Sequence, residues 1–349
     1  MAVGWGVIGA GGIARRRTIP EGIVPAKNAE LVAVMDVAPG VAKEVARESG
    51  CRKAYTQVGS LLRNPDVQAV YIAVPVHLHE KLFKRALKAH KHVLVEKPLA
   101  GTVRAAQRMA DLGAESGLMC TEGYMMKFHA MHQRARDLIT AGRLGKVVCI
   151  RGQLSCWYPP IENAWRQNPR QGGGGAIMDM ATHVYDLMQY LAGEKISEVM
   201  AFTGSLVHDY PVEDSSVTLV RFPSGCQGVV EAYFNVRDES CPRRLEIYGS
   251  AGGVLADGTI GQGGGTMREI VTAEEAGYDA DQKREAEVAA FRDVEVPEVN
   301  MYQAEIEYLS DCILNDTPPS LNTLADGVQV MQVASAAYRS AKTGKRVAL

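Results

Sequence analysis

Gly9-Ala10-Gly11-Gly12-Ile13-Ala14 stands between an apolar run at 3–8 and a segment of helical character that begins near Gly12. Small residues at these three positions suit one purpose. Gly9 permits a tight turn, Gly11 lets the backbone approach a pyrophosphate, and Ala14 allows a helix to pack closely on the strand before it. The amino end of that helix then faces the anion. The next apolar run, Glu30 to Met35, ends at Asp36, 22 residues beyond Ala14. A carboxylate at that distance suits the ribose hydroxyls of a dinucleotide and repels a 2′-phosphate. Since Val37, Ala38 and Pro39 supply no arginine, the pattern predicts NAD(H) in preference to NADP(H). Arg15, Arg16 and Arg17 read mainly as a solvated helix face.

Working outward, helical periodicity at 39–49, 79–90 and 102–116 alternates with short apolar runs at 69–74, 92–95 and 118–121. Such alternation predicts an α/β unit, a doubly wound parallel sheet of Rossmann type, ending near residue 122. The pattern then changes. After a helix at 129–141, strand-like runs at 146–156, 196–207, 214–222, 227–235 and 243–248 follow one another across turn signals such as Pro223-Ser224-Gly225. They predict an open, mainly antiparallel sheet in an α+β second domain, 123–349. One helix interrupts them at 176–191, and two more close the chain at 300–314 and 323–342, where they can pack back on the first domain. Residues 261–290, with a glycine run, read as a surface excursion without an assigned structure.

With 349 residues, 46% of them hydrophobic and 22% charged, the chain has material for two cores. A net charge of −2 offers no field for a polyanion, which argues against nucleic acid. The seven cysteines show no C-x-x-C pair and read as thiols rather than as disulfides or metal ligands. No stretch has the length and apolarity of a membrane span or a signal peptide, so a cytoplasmic location is expected.

Two further stretches carry chemistry. Glu96-Lys97-Pro98 leaves a strand at its carboxyl end, where open α/β sheets bind ligands, and an ammonium there can stabilise a developing alkoxide. Gly172-Gly173-Gly174-Gly175 precedes a helix in which Asp179, His183 and Asp186 fall on one face. The glycines would let the backbone pass close to a ligand, and a histidine has a pKa suited to taking a hydroxyl proton, with a nearby carboxylate to orient it.

G-x-G-G-I-A at the amino end, E-K-P at 96–98 and G-G-G-x-x-x-D-x-x-x-H-x-x-D in the second half together resemble the Gfo/Idh/MocA family of oxidoreductases. The resemblance extends to Ala73-Val74-Pro75 with His79, to the turn at 142–146 and to Trp165-Arg166. It implies NAD held by Gly9, Gly11, Gly12, Ile13, Ala14, Asp36, Val74, Pro75, His79, Glu96 and Lys97. It further implies Lys97 and His183 as catalytic lysine and general base, with Asp179 holding a sugar, polyol or cyclitol. Tyr124, Lys127, Tyr158, Trp165 and Arg166 would line the substrate pocket. Many relatives carry arginine where this chain has Met126-Lys127, which loosens any transfer of substrate identity. The antiparallel sheet implies a homodimer or homotetramer. An NAD-dependent glycosidase and a non-catalytic sugar or nucleotide sensor on the same fold stand as alternatives.

Overall fold

The computed structural model describes residues 1–261, 263–272, 280–281 and 289–349. Its first half is a six-stranded parallel sheet of β1 (Val3–Ile8), β2 (Ala29–Met35), β3 (Lys53–Tyr55), β4 (Ala69–Ile72), β5 (His92–Glu96) and β6 (Cys120–Gly123), ordered β3-β2-β1-β4-β5-β6. β1 and β4 are buried along their whole length, as continuous apolar runs in a doubly covered sheet require. The strand order reverses between β1 and β4, and a cleft opens beyond their carboxyl ends, as such switch points do. At the first turn Gly9 has φ +88°, and a Cβ there would lie 2.3 Å from Ala73 O, so only glycine fits. The following helix, Ala14–Ile23, is wound as a π-helix with Pro20 inside it.

The second half adds β7 (Val147–Ser155), β8 (Glu198–Gly204), β9 (Ser215–Arg221), β10 (Gln227–Tyr233), β11 (Leu245–Gly249), β12 (Gly252–Asp257), β13 (Thr266–Val271), β14 (Arg292–Asp293) and β15 (Val347–Ala348). Their order is β14-β13-β12-β11-β7-β10-β9-β8-β15, antiparallel throughout the described residues except where β10 runs parallel to β7. The helical stretch Ile177–Ala192 lies on one face. Gly152 permits that close approach, because a Cβ on it would meet Val184 Cγ1 at 2.4 Å. Ile150, Val184, Met188, Val230 and Ile247 are fully buried between the helix and the strands. The other face carries exposed Met200, Phe202, Leu219 and Tyr248.

The predicted strands and helices all form, with shifted ends. The expected strand at 118–121 begins two residues later, and that at 196–207 is trimmed at both ends. Short β3, β14 and β15 fall below any periodicity signal. β13 occupies part of the unassigned 261–290 stretch, of which residues 262, 273–279 and 282–288 lie outside the described residues. The seven cysteines are unpaired. Among the described residues no helix is long and apolar enough to cross a membrane.

The closing helices straddle both halves. Leu324–Thr343 packs against Val103–Ser116 and β8, while Met301–Leu314 packs on the π-helix after the glycine turn. Trp5 of β1 donates its indole N–H to Ser310 Oγ at 3.0 Å, a buried bond between chain segments 305 residues apart. Trp5→Phe keeps most of the packing but leaves the buried Ser310 hydroxyl without its donor. It should lower unfolding free energy by about 1–3 kcal/mol. Urea denaturation checks this, and the double variant with Ser310→Ala should recover part of the loss.

Candidate active site

The cleft beyond β1, β2, β4 and β5 has a volume of about 460 Å³, and its walls include Gly9, Gly11, Gly12, Ile13, Asp36, Val74, Pro75, Glu96, Lys97, Trp165 and Arg166. Asp36 is held in place there. Its Oδ2 accepts the Gly11 N–H at 3.2 Å and its Oδ1 the Ala38 N–H at 3.0 Å, fixing the carboxylate at the cleft rim. At Gly12, φ is +53° and the space where a Cβ would sit is open. A dinucleotide pyrophosphate therefore fits against bare backbone. Of the arginine cluster, Arg16 lines the cleft, Arg15 pairs with Glu44 and Glu48, and Arg17 pairs with Glu21.

Lys97 leaves β5 at the inner end of the cleft. Its Nζ donates to the side chain of Asp179 at 2.9 Å and to the main-chain carbonyl of the same residue at 2.8 Å. Asp179 lies in Ile177–Ala181, which is wound as a π-helical turn, a form found often at functional sites. Arg166 Nε reaches the same carboxylate oxygen at 3.0 Å, and its guanidinium lies over the Trp165 ring, 4.3 Å from the centroid. Burial works against the Asp179 carboxylate, but Arg166 and Lys97 outweigh it and hold its pKa well below the ordinary range. Two cations on one anion leave the site one positive charge in excess. His183 is 6% exposed, and burial together with Lys97 pushes its pKa well below the usual value, so it is neutral. Its Nδ1 is buried with no hydrogen-bond partner among the described residues.

Each carrier is braced from behind. Glu96 Oε2 accepts the Lys97 N–H at 3.0 Å, and its other oxygen accepts from Tyr71, whose hydroxyl takes the Thr18 proton at 3.0 Å. On the opposite wall, Glu213 caps the helix that bears Asp179, accepting N–H groups of Gly175 and Ile177 at 3.0 and 2.9 Å and the Tyr338 hydroxyl at 2.7 Å. Sequence reading missed Glu213, since an acid just before β9 has no spacing relation to residue 175.

Several sequence-based expectations need correction. The glycine run does not open toward a ligand: a Cβ on Gly174 would fall 1.9 Å from the Tyr338 hydroxyl, and one on Gly175 2.0 Å from Glu213 O. Its smallness serves packing between protein segments. Asp186 belongs to another environment, its Oδ1 held by Lys127 at 2.7 Å. Lys127 is correspondingly 4% exposed and is not among the residues that wall this cleft. His79 is buried and turned from the cleft, with Nε2 2.9 Å from Val74 O and Nδ1 3.3 Å from Leu99 O. It props the Val74-Pro75 wall. Ala14 is likewise buried and serves packing. Tyr124 is buried edge-on to His183, ring centroids 5.5 Å apart, and supports the base from beneath. Tyr158 is half-buried, its ring 5.0 Å from that of Phe234.

Comparison with known proteins agrees with this fold. Residues 3–124 match the family described as oxidoreductase family, NAD-binding Rossmann fold, and residues 132–255 match the GFO/IDH/MocA C-terminal domain. A 1,5-anhydro-D-fructose reductase of Ensifer adhaerens is 29% identical over 98% of this chain and 97% of its own. A myo-inositol 2-dehydrogenase of Thermotoga maritima is 30% identical over 72% of this chain and 75% of its own. Among solved structures, the aldose-aldose oxidoreductase of Caulobacter crescentus superposes with a TM-score of 0.88 at 26% identity, covering the whole of both chains.

Burial lowers the His79 pKa to about 4. The unfolded chain, with an ordinary histidine near 6.5, therefore binds more protons than the folded one between those values. Stability should fall as pH drops from about 6.5 to about 4, with His79 accounting for a loss of about 3 kcal/mol. Thermal unfolding across this range checks it, and His79→Gln should show a shallower acid slope.

Proposed function

The chain belongs to the Gfo/Idh/MocA family of oxidoreductases, and on that premise we propose that it moves a hydride between NAD(H) and a hydroxyl-bearing carbon of a small sugar, polyol or cyclitol. The observation that carries this reading is the meeting of Asp179 with Lys97 and Arg166 at the inner end of a glycine-walled cleft, with neutral His183 one turn further along the helix of Asp179. The names of its relatives, a sugar reductase and an inositol dehydrogenase, point to the same substrate class. Residues 1–122 would carry the cofactor and 123–349 the substrate and subunit contacts.

When bound, the nicotinamide supplies the atom that accepts or returns the hydride. The protein's share is proton handling and charge. Two N–H donors of Lys97 are engaged by Asp179, and the third can donate to a substrate hydroxyl and to the alkoxide that develops from it. The excess positive charge at Lys97 and Arg166 favours that alkoxide. Asp179, kept ionised, accepts from a neighbouring hydroxyl. His183, kept neutral, accepts the proton at Nε2 during oxidation and returns it during reduction. The carboxylate of Asp36, already fixed by two backbone amides, suits the ribose of NAD and opposes the 2′-phosphate of NADP.

Absorbance at 340 nm with NAD+ and separately NADP+, across inositols, aldoses, ketoses and glycosides, tests the reading. One sugar class should give NADH, and Lys97→Ala and His183→Ala should each lower kcat by about 10²–10⁴. Wild-type turnover in either variant overturns the assignment. Cleavage of a glycoside without net NADH formation would instead identify the glycosidase alternative.

The open sheet face supports the homodimer or homotetramer, with Phe202 73% and Leu219 49% exposed on neighbouring strands. Unpaired cysteines fit a reducing, cytoplasmic compartment. Phe202→Glu combined with Leu219→Arg should convert the oligomer to monomer in light scattering while leaving NAD+ affinity unchanged.

A further inference from the structure

The mechanism above uses one side of His183. The other side faces a region where unsatisfied buried groups gather. Nδ1 of His183 is buried without a hydrogen-bond partner among the described residues, as are the Tyr124 hydroxyl, which has only the Thr182 side chain beside it, both carboxyl oxygens of Glu122 and Oδ2 of Asp186. Their residues are 6%, 1%, 0% and 2% exposed respectively. Buried polar atoms in native proteins are almost always satisfied, by protein or by internal water. The four residues are also neighbours. The Tyr124 ring meets that of His183 edge-on, Glu122 precedes Tyr124 by two residues at the end of β6, and Asp186 lies one helical turn beyond His183. Among charged groups, Asp186 bears most strongly on Glu122, and Glu122 most strongly on Tyr124.

We propose that Glu122 and Asp186 form a buried proton store for His183, connected to its Nδ1 past Tyr124 by internal water, and that they act through the base and not on the substrate. This rests on the dehydrogenase reading of the same site. In oxidation, the substrate hydroxyl proton passes to Nε2 and the hydride departs with its electron pair to the nicotinamide. The Nδ1 proton then moves through water and the neutral Glu122 acid to Asp186, the ionised member of the pair, leaving neutral His183 with its proton on Nε2. Once product leaves, Nε2 gives that proton to solvent and the stored proton returns to Nδ1, which resets the base. The proton so stored is neither created nor lost, and reduction runs the same transfer backward. The arrangement matters because substrate and cofactor would cover the cleft side of His183, leaving the interior side as the exit.

The charges around the store are suited to this. Burial, reinforced by Asp186, holds the Glu122 carboxyl well above its ordinary pKa. Burial raises Asp186 to about 6 against the pull of Lys127. Glu305 also faces the cluster, raised by burial and by Glu96, while Asp326 on the last long helix is kept ionised by Lys127 and Lys195. On the cleft side His183 faces Lys97, Asp179 and Arg166.

Glu122→Gln is the discriminating variant. A neutral amide replaces a neutral acid of the same shape, so packing and charge persist while proton exchange is removed. With NAD+ and the sugar that turns over, kcat should fall on the order of tenfold to a hundredfold with KM unchanged. The solvent deuterium isotope effect should rise and the isotope effect of deuterium on the substrate carbon should fall, because the proton step has become limiting. Wild-type isotope effects and pH profile in this variant overturn the proposal, as does a joint fall of both effects with a lowered melting temperature. Asp186→Asn, combined with Lys127→Met so that no cation is left buried alone, gives the same reading should Glu122→Gln fail to fold. If no sugar turns over, the dehydrogenase reading fails separately, and ¹⁵N NMR of His183 in the NAD+ complex decides. An inflection of Nδ1 near pH 6 that vanishes in the Asp186→Asn, Lys127→Met variant supports the store, and its absence in the wild type overturns it.

Discussion

One ammonium group joins the two halves of this protein at the point where they must cooperate. Lys97 ends a strand of the parallel sheet, and its bonds to the side chain and carbonyl of Asp179 fasten that strand to a helix of the antiparallel half. A half-buried ion pair gives up much of its Coulombic gain to desolvation, and it persists only where hydrogen bonds complete it. Here Arg166 completes it from a third segment. The result is a carboxylate held between two cations, with one positive charge unspent. That surplus does two things at once. With burial, the larger cause, it keeps His183 neutral and its lone pair free to take a proton, and it stands ready for the negative charge that forms on a substrate oxygen.

The pair would have little value if either carrier could move. Glu96 is locked by Tyr71 and Thr18 behind the lysine, and Glu213 seals the helix end behind the aspartate. Because Glu213 and Tyr338 occupy the amino end of that helix, its dipole is already answered by protein. The free N–H groups of Gly175 and Ile177 are thereby taken by a carboxylate of the protein itself. The cofactor phosphates are left to the other glycine turn, where Gly12 opens on free space.

The contrast between these two glycine stretches shows how far the sequence could be read. Gly9 to Ala14 was legible because a strand, a turn and a helix surround it in fixed order, and the carboxylate of Asp36 follows at the right distance. The run Gly172 to Gly175 looks equally suited to a ligand, and only the tertiary neighbours Tyr338 and Glu213 reveal that the close approach is internal. The same limit applies to charged residues. Lys97 was assigned from its place at a strand end, a local property. Lys127 and Asp186 look like solvent or pocket residues until their partners, 59 positions apart, are brought to 2.7 Å. Helical spacing rightly put Asp179, His183 and Asp186 on successive turns, but could not say that the first faces the cleft and the last the interior. His79, similarly, reads as a cofactor contact and proves to be a prop for the wall.

That interior assignment bears on why so many ionisable groups lie beneath the site. Glu122, Lys127, Asp186 and Glu305 are each 4% exposed or less, and they come from β6, the turn after it, the helix of His183 and the first closing helix. Apolar residues of similar volume would commonly hold such a junction at least as firmly, since desolvating these groups costs free energy that a single lysine offsets only in part. A junction built for stability alone has no use for carboxyl oxygens without donors. One that must take in and return a proton does, because an unsatisfied buried carboxyl can bind a proton at a pH where its exposed counterpart would be ionised. The electrostatics of the cleft favour charge that develops and disappears within a turnover, and the layer beneath it has the composition to exchange the matching proton.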